Sequence, residues 1–167
     1  MRRRALAIAV LLAFAAPASA AAMKSRPQHG AVVASLYAAE QAGRAPLSDP
    51  GERARALTPS LSALWSVVEA AAKRRNDGDP PPDFDVVTNS QGSTLKSYAL
   101  AIERADATHA TVIATLVDDN WLRASAREKV VRYDLVSDGS LWRIDDIHGV
   151  AEPRAWSLRA ILSESLK

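Results

Sequence analysis

The chain has no cysteine among its 167 residues, so no disulfide can constrain the unfolded state and no thiol can act as nucleophile or metal ligand. Charge of one sign is also in short supply. Lys plus Arg is 21 against 19 for Asp plus Glu, and three of the basic residues, Arg2, Arg3 and Arg4, fall in a leader whose removal turns +2 into about −1. The sequence pI near 9.1 is therefore no argument for nucleic acid or anionic lipid as a partner. The chain lacks a Gly-x-Ser-x-Gly elbow, a phosphate-cradling glycine loop, an internal repeat and a low-complexity tract. Those absences remove the common hydrolase and kinase arrangements.

What is present begins with the leader. Three arginines, an unbroken apolar run from Ala5 to Ala16, Pro17 and the small-residue exit Ala18-Ser19-Ala20 have the layout of a secretory signal peptide over 1–20. The apolar run is too short for a bilayer core that needs about 20 residues, so export and not anchoring is expected. Cleavage is expected after Ala20 or Ala22, no cysteine follows to take a lipid, and the mature protein is expected to be periplasmic or secreted.

The body of about 147 residues is one domain's worth. A flexible N-terminal tail is expected over 21–30 and a single α+β domain over 31–167. Val32, Val33, Leu36 and Tyr37 recur at helical spacing between Ala31 and Ala42, with Gly43 as a C-terminal cap. Asp49-Pro50-Gly51-Glu52 and Thr58-Pro59 are two helix starts, the second leading into Leu61, Leu64, Trp65, Val68 and Ala72 and ending on Lys73, Arg74 and Arg75, where the helix dipole favours cations. Asn76 to Asp83 holds three consecutive prolines and reads as a loop.

Strands are expected at Tyr98 to Glu103, Thr108 to Val117, Glu128 to Val136 and Leu141 to Ile147, the last two joined by an Asp138-Gly139 hairpin turn. In the second strand, Ala110, Val112, Ala114 and Leu116 share one face. Ser157 opens a final helix with Leu158, Ile161, Leu162 and Leu166 on one side, and Trp156 is placed to staple against Ile161. Helices first and antiparallel strands after them predict helices packed on a curved sheet, in a barrel-like cone or a cystatin-like grip.

The segments AVVASLYAAE, ALTPSLSALW and DFDVVTNSQG, with LWRIDDI followed by SLRAIL, resemble a family of secreted bacterial domains of unknown function. That family is similar to the cystatin-like and nuclear-transport-factor-2-like α+β folds, and the resemblance runs from about Ala31 to Leu162. It implies a fold and a compartment and brings no catalytic residue. Val86 and Gly92 depart from the family's pattern, which more often has proline and aspartate there.

The candidate chemistry lies at Asp145-Asp146-Ile147-His148, expected at a strand end. Alternation places Asp146 and His148 on one face about 7 Å apart, where a carboxylate beside an imidazole can share a proton, a water or a metal. The bland reading is a polar strand end with Asp146 accepting backbone hydrogen bonds. Tyr133 and Tyr98 are further candidates for a cone-shaped pocket. His29 and His109 lie on distant elements, Asp118-Asp119-Asn120 lacks the calcium-loop pattern, and neither a metal nor a cofactor is expected. Trp121, with Leu122 and Arg123, forms a candidate partner-binding loop, because aromatic side chains bury much area at low entropic cost. The residues thus favour a non-catalytic periplasmic binding module for a protein or envelope component, an inhibitor or immunity protein being one form. The alternative is a small-ligand binder or enzyme with a cone-shaped pocket using Asp146 and His148.

Overall fold

The computed structural model describes residues 29–78, 80–92, 94–118 and 125–167. Helix α1 (His29–Gln41) begins two residues ahead of Ala31 and is closed by Gly43 at φ +71, a left-handed position that favours glycine. A 3₁₀ turn (Pro46–Ser48) leads to α2 (Pro50–Ala56) and α3 (Pro59–Arg75). The two expected start signals are used: Asp49 Oδ1 accepts from the Glu52 amide at 2.8 Å, and Thr58 Oγ1 accepts from the Leu61 amide at 3.4 Å.

Five strands follow, β1 (Leu95–Ala105), β2 (His109–Asp118), β3 (Val130–Ser137), β4 (Trp142–Ala151) and β5 (Arg154–Ser157), before the short helix α4 (Leu158–Glu164). They form one antiparallel sheet in the order β1-β2-β3-β4-β5. The architecture is α+β, with helices ahead of an antiparallel meander and one helix behind it. The turn between β3 and β4 has Gly139 at φ +93, and Asp138 Oδ1 accepts from the Leu141 amide, the Ser140 hydroxyl and the Ser140 amide. Those bonds, the Leu141 amide first, hold the Asp138 carboxyl down to about 2.

One sheet face carries the core. Ala110, Val112, Ala114 and Leu116 of β2, Val131, Tyr133 and Leu135 of β3, and Ile144 and Ile147 of β4 meet Val33, Leu36 and Tyr37 of α1 and Leu61, Trp65 and Val68 of α3. A tyrosine pair lies within this core. Tyr133 is fully buried, its hydroxyl 2.7 Å from that of Tyr37, which also donates to the Val87 carbonyl at 3.0 Å, and Tyr98 stacks on Tyr37. Burial, above all, raises both the Tyr37 and Tyr133 hydroxyls, so the pair stays neutral. Arg53 is the largest fully buried side chain among the described residues; it lies over the Trp65 ring, donates to the Leu47 carbonyl and pairs with Glu69 at 2.6 Å.

Two expectations are corrected at the end of the chain. The strand that begins at Trp142 does not end at Ile147 but runs to Ala151, and a fifth strand, β5, pairs with it. Gly149, two residues past the expected strand end, lies inside β4 with the indole of Trp156 covering it. An added Cβ would stand 2.6 Å from Trp156 Cε2 and 2.9 Å from Nε1. Trp156 itself is in β5, its ring edge-on to Phe84 with centroids 5.1 Å apart, and it serves the sheet and not a staple to α4. Ser157 does cap α4, accepting from the Ala160 amide, but the helix stops at Glu164 and leaves Leu166 exposed.

Gly149→Ala is expected to destabilise the fold by about 2 kcal/mol, because the ring it would meet is held on its other sides and cannot withdraw. Urea denaturation checks this, and a loss below about 0.5 kcal/mol would show that the ring moves aside freely.

Candidate functional site

The face of the sheet away from the helices carries a row of polar side chains among apolar ones. The register places Arg104 beside Thr111, Thr111 beside Asp134, Asp134 beside Asp146, and His148 beside Ser157. These residues form a chain with at least one link per strand. Arg104 Nε donates to Thr111 Oγ1 at 2.9 Å, Thr111 Oγ1 donates to Asp134 Oδ1 at 2.8 Å, and His148 Nε2 meets Asp134 Oδ2 at 2.9 Å. His148 Nε2 is also 3.7 Å from Asp146 Oδ2, which accepts from the Ser157 hydroxyl at 2.7 Å. Thr111 is buried within the chain although it lies on the open face.

Asp146 and His148 share a face and stand closer than strand spacing alone implies, but in the middle of β4 and not at a strand end. Their roles diverge. Asp146 Oδ1 accepts from the Ile147 and Arg159 amides and Oδ2 from Ser157, so its lone pairs hold the start of α4. Asp145 sits at the β4 bulge and accepts from Arg159 and, at 2.9 Å, from the Thr58 hydroxyl. His148 has Asp134 as its direct partner. A carboxylate only accepts, so His148 donates from Nε2 to Asp134, and its Nδ1 has no hydrogen-bond partner among the described residues.

His148 and Asp134 line a groove of about 750 Å³, with Glu103, Arg104, Arg127 and Arg132 as the other charged groups and Val130, Val150, Ala155 and Trp156 among the apolar ones. The guanidinium groups are paired singly: Arg132 with Glu103 at 2.9 Å, Arg104 with Asp134 at 3.9 Å, and Arg127 with Glu152 at 3.7 Å. Most of their donors remain open to a ligand.

No family model, curated protein or solved structure matches the chain. The site is therefore argued from its own geometry. Tyr133 and Tyr98 face the helices, across the sheet from His148, so they are not members of this site. His29 is buried edge-on against Trp142, and His109 sits at a surface turn with Nδ1 2.9 Å from the Thr108 hydroxyl. Among the described residues no group of three or more His, Asp or Glu side chains is arranged to hold a metal ion. Trp121, Leu122 and Arg123 lie outside the described residues, as does the leader.

Sequence reasoning missed Asp134, Thr111 and Arg104. Asp134 was visible as the acid interrupting the apolar run VVRYDLV of β3, but only the register shows what it opposes. Asn89 was missed as well. At φ +54 it sits in the loop before β1 and ties three elements: Nδ2 donates to the Glu128 and Val150 carbonyls at 2.9 Å each, and Oδ1 accepts from Trp156 Nε1 at 3.0 Å. The indole thus keeps no polar atom for a ligand and gives the groove an apolar wall.

Proposed function

We propose that this chain is a non-catalytic binding module, exported by its leader to the periplasm, whose site is the groove on the open sheet face. The observation that carries this reading is the composition of that groove. It offers guanidinium groups, carboxylates, one imidazole and an apolar wall, but no hydroxyl, thiol or amine among its lining residues. Asp146, the carboxylate that would work with His148, is committed to α4. The helices-then-meander architecture and the resemblance of the α1, α3 and Asp83–Gly92 segments support membership of the cystatin-like or nuclear-transport-factor-2-like group. The leader supports export, and no helix among the described residues is long and apolar enough to cross a membrane.

The partner on this reading is a periplasmic or envelope protein. Native mass spectrometry of the exported protein from its own host tests it, alongside Arg132→Glu, which reverses charge on an exposed groove residue. The expected result is a co-purifying partner at defined stoichiometry, retained at least tenfold less by the variant. Equal retention by both proteins would remove the groove from the account. A second reading, a small-ligand binder or enzyme, is favoured by the unpartnered Nδ1 of His148, whose ring Asp134 orients through Nε2 as a general base is oriented. In the same spectra it requires a bound small-molecule mass that His148→Ala abolishes.

A further inference from the structure

Strand β1 is the long edge of the sheet. It pairs with β2 on one side, and its other side meets the Gln41 side chain at the Lys96 carbonyl, 3.0 Å away, and no strand among the described residues. The opposite edge, β5, is only four residues long, whereas β1 has eleven. Proteins blunt long edges with charge, proline, bulges or a covering element, because an unpaired row of amides and carbonyls templates further pairing. Here Lys96 and a register shift between Leu95 and Ser97 mark one end, and the charges Glu103 and Arg104 with the bulge between Ile102 and Arg104 mark the other. The stretch between them, Ser97-Tyr98-Ala99-Leu100-Ala101-Ile102, has no charge, proline or glycine, the composition of segments that pair with their own kind. It is also poorly covered, with Ile102 50% exposed and Ala99 and Ala101 exposed on the other face.

We propose that the β1 edge binds a second copy of this chain, forming a two-fold dimer with one continuous ten-stranded sheet. A two-fold axis normal to the sheet keeps each residue on its own face, so it must run between one residue and the same residue of the partner. Centring it on Leu100 sets Tyr98 opposite the partner's Ile102, Ala99 opposite Ala101, and Leu100 opposite itself. That register covers the exposed Ile102 with an aromatic ring, a favourable cross-strand pair, matches small residues with small ones, and stops at the bulge. A second feature fits it. The 100° helical step puts Ala34 and Ala38 of α1 on the same flank as Gln41, the residue that reaches this edge, so alanines and not bulky side chains stand where two copies of α1 draw together.

Sedimentation equilibrium of the exported protein from low to high micromolar concentration tests the proposal. The expected weight-average mass rises to twice that of the monomer. Two double variants on the exposed open face test the register. Ala99→Glu with Ala101→Glu sets like charges opposite each other twice and is expected to weaken dimerisation at least tenfold. Ala99→Lys with Ala101→Glu sets opposite charges there and is expected to retain the dimer. A monomer at every concentration overturns the proposal, as does a dimer that responds equally to both double variants.

Discussion

Asn89→Ala is expected to lower folding stability by about 3–4 kcal/mol, an unusually large loss for one residue in a loop. Three bonds depend on its amide: two carbonyls, of Glu128 and Val150, and the indole N–H of Trp156. Each partner left unpaired away from water costs on the order of 1–3 kcal/mol, and partial solvent access brings the sum toward the lower end. The left-handed backbone at φ +54 adds about 1 kcal/mol, because alanine lacks the local side-chain bonding that lets asparagine rest there. Asn89→Gly separates the two contributions: it relieves the backbone and not the bonds, so it is expected to recover only about 1 kcal/mol. Urea denaturation of both variants measures this. An alanine variant within 1 kcal/mol of the parent, or a glycine variant that recovers the whole loss, would show that the three bonds contribute little.

Glu40→Gln is expected to flatten the dependence of stability on pH. Glu40, on α1, has Oε1 buried without a hydrogen-bond partner and lies near Asp85, whose carboxylate accepts from the Val87 amide at 2.8 Å and the Thr88 hydroxyl at 2.9 Å. Burial first, and then the negative charge of Asp85, push the Glu40 carboxyl from its ordinary value near 4.5 up to about 8. Between those two values the folded chain holds a proton that the unfolded chain has released, so stability falls as pH rises through that window and levels off above it. The neutral, isosteric glutamine carries no such proton. The variant is expected to match the parent near pH 4 and to exceed it near pH 9 by on the order of a few kcal/mol. Denaturation curves across that range check the sign, and parallel pH profiles for the two proteins would overturn it.

Periodicity was the legible part of the fold. The faces of α1 and α3, the caps at Asp49 and Thr58, the alternation in β2 and the Asp138-Gly139 turn all follow from neighbours within a few residues. What failed failed for one reason. Gly149 looks like the end of a strand because glycine usually marks a break, and Trp156 looks like a staple because it precedes a helix. In the structure each explains the other, an indole packed on a flat stretch of backbone. The site divides the same way. Alternation places Asp146 and His148 on a common face, but the working partner of His148 is Asp134, fourteen residues earlier in the chain.

The sequence by itself determined the type of most elements and the order of helices before strands, because backbone propensity, capping and hydrophobic period act over short stretches of chain. Only the tertiary structure decided that Asp146 secures α4 while Asp134 orients His148, that Tyr133 belongs to the core, and that Asn89 joins a loop to two distant carbonyls and an indole. Those outcomes rest on strand register and on which buried polar groups find partners, and both are fixed only when segments far apart in the chain come into contact.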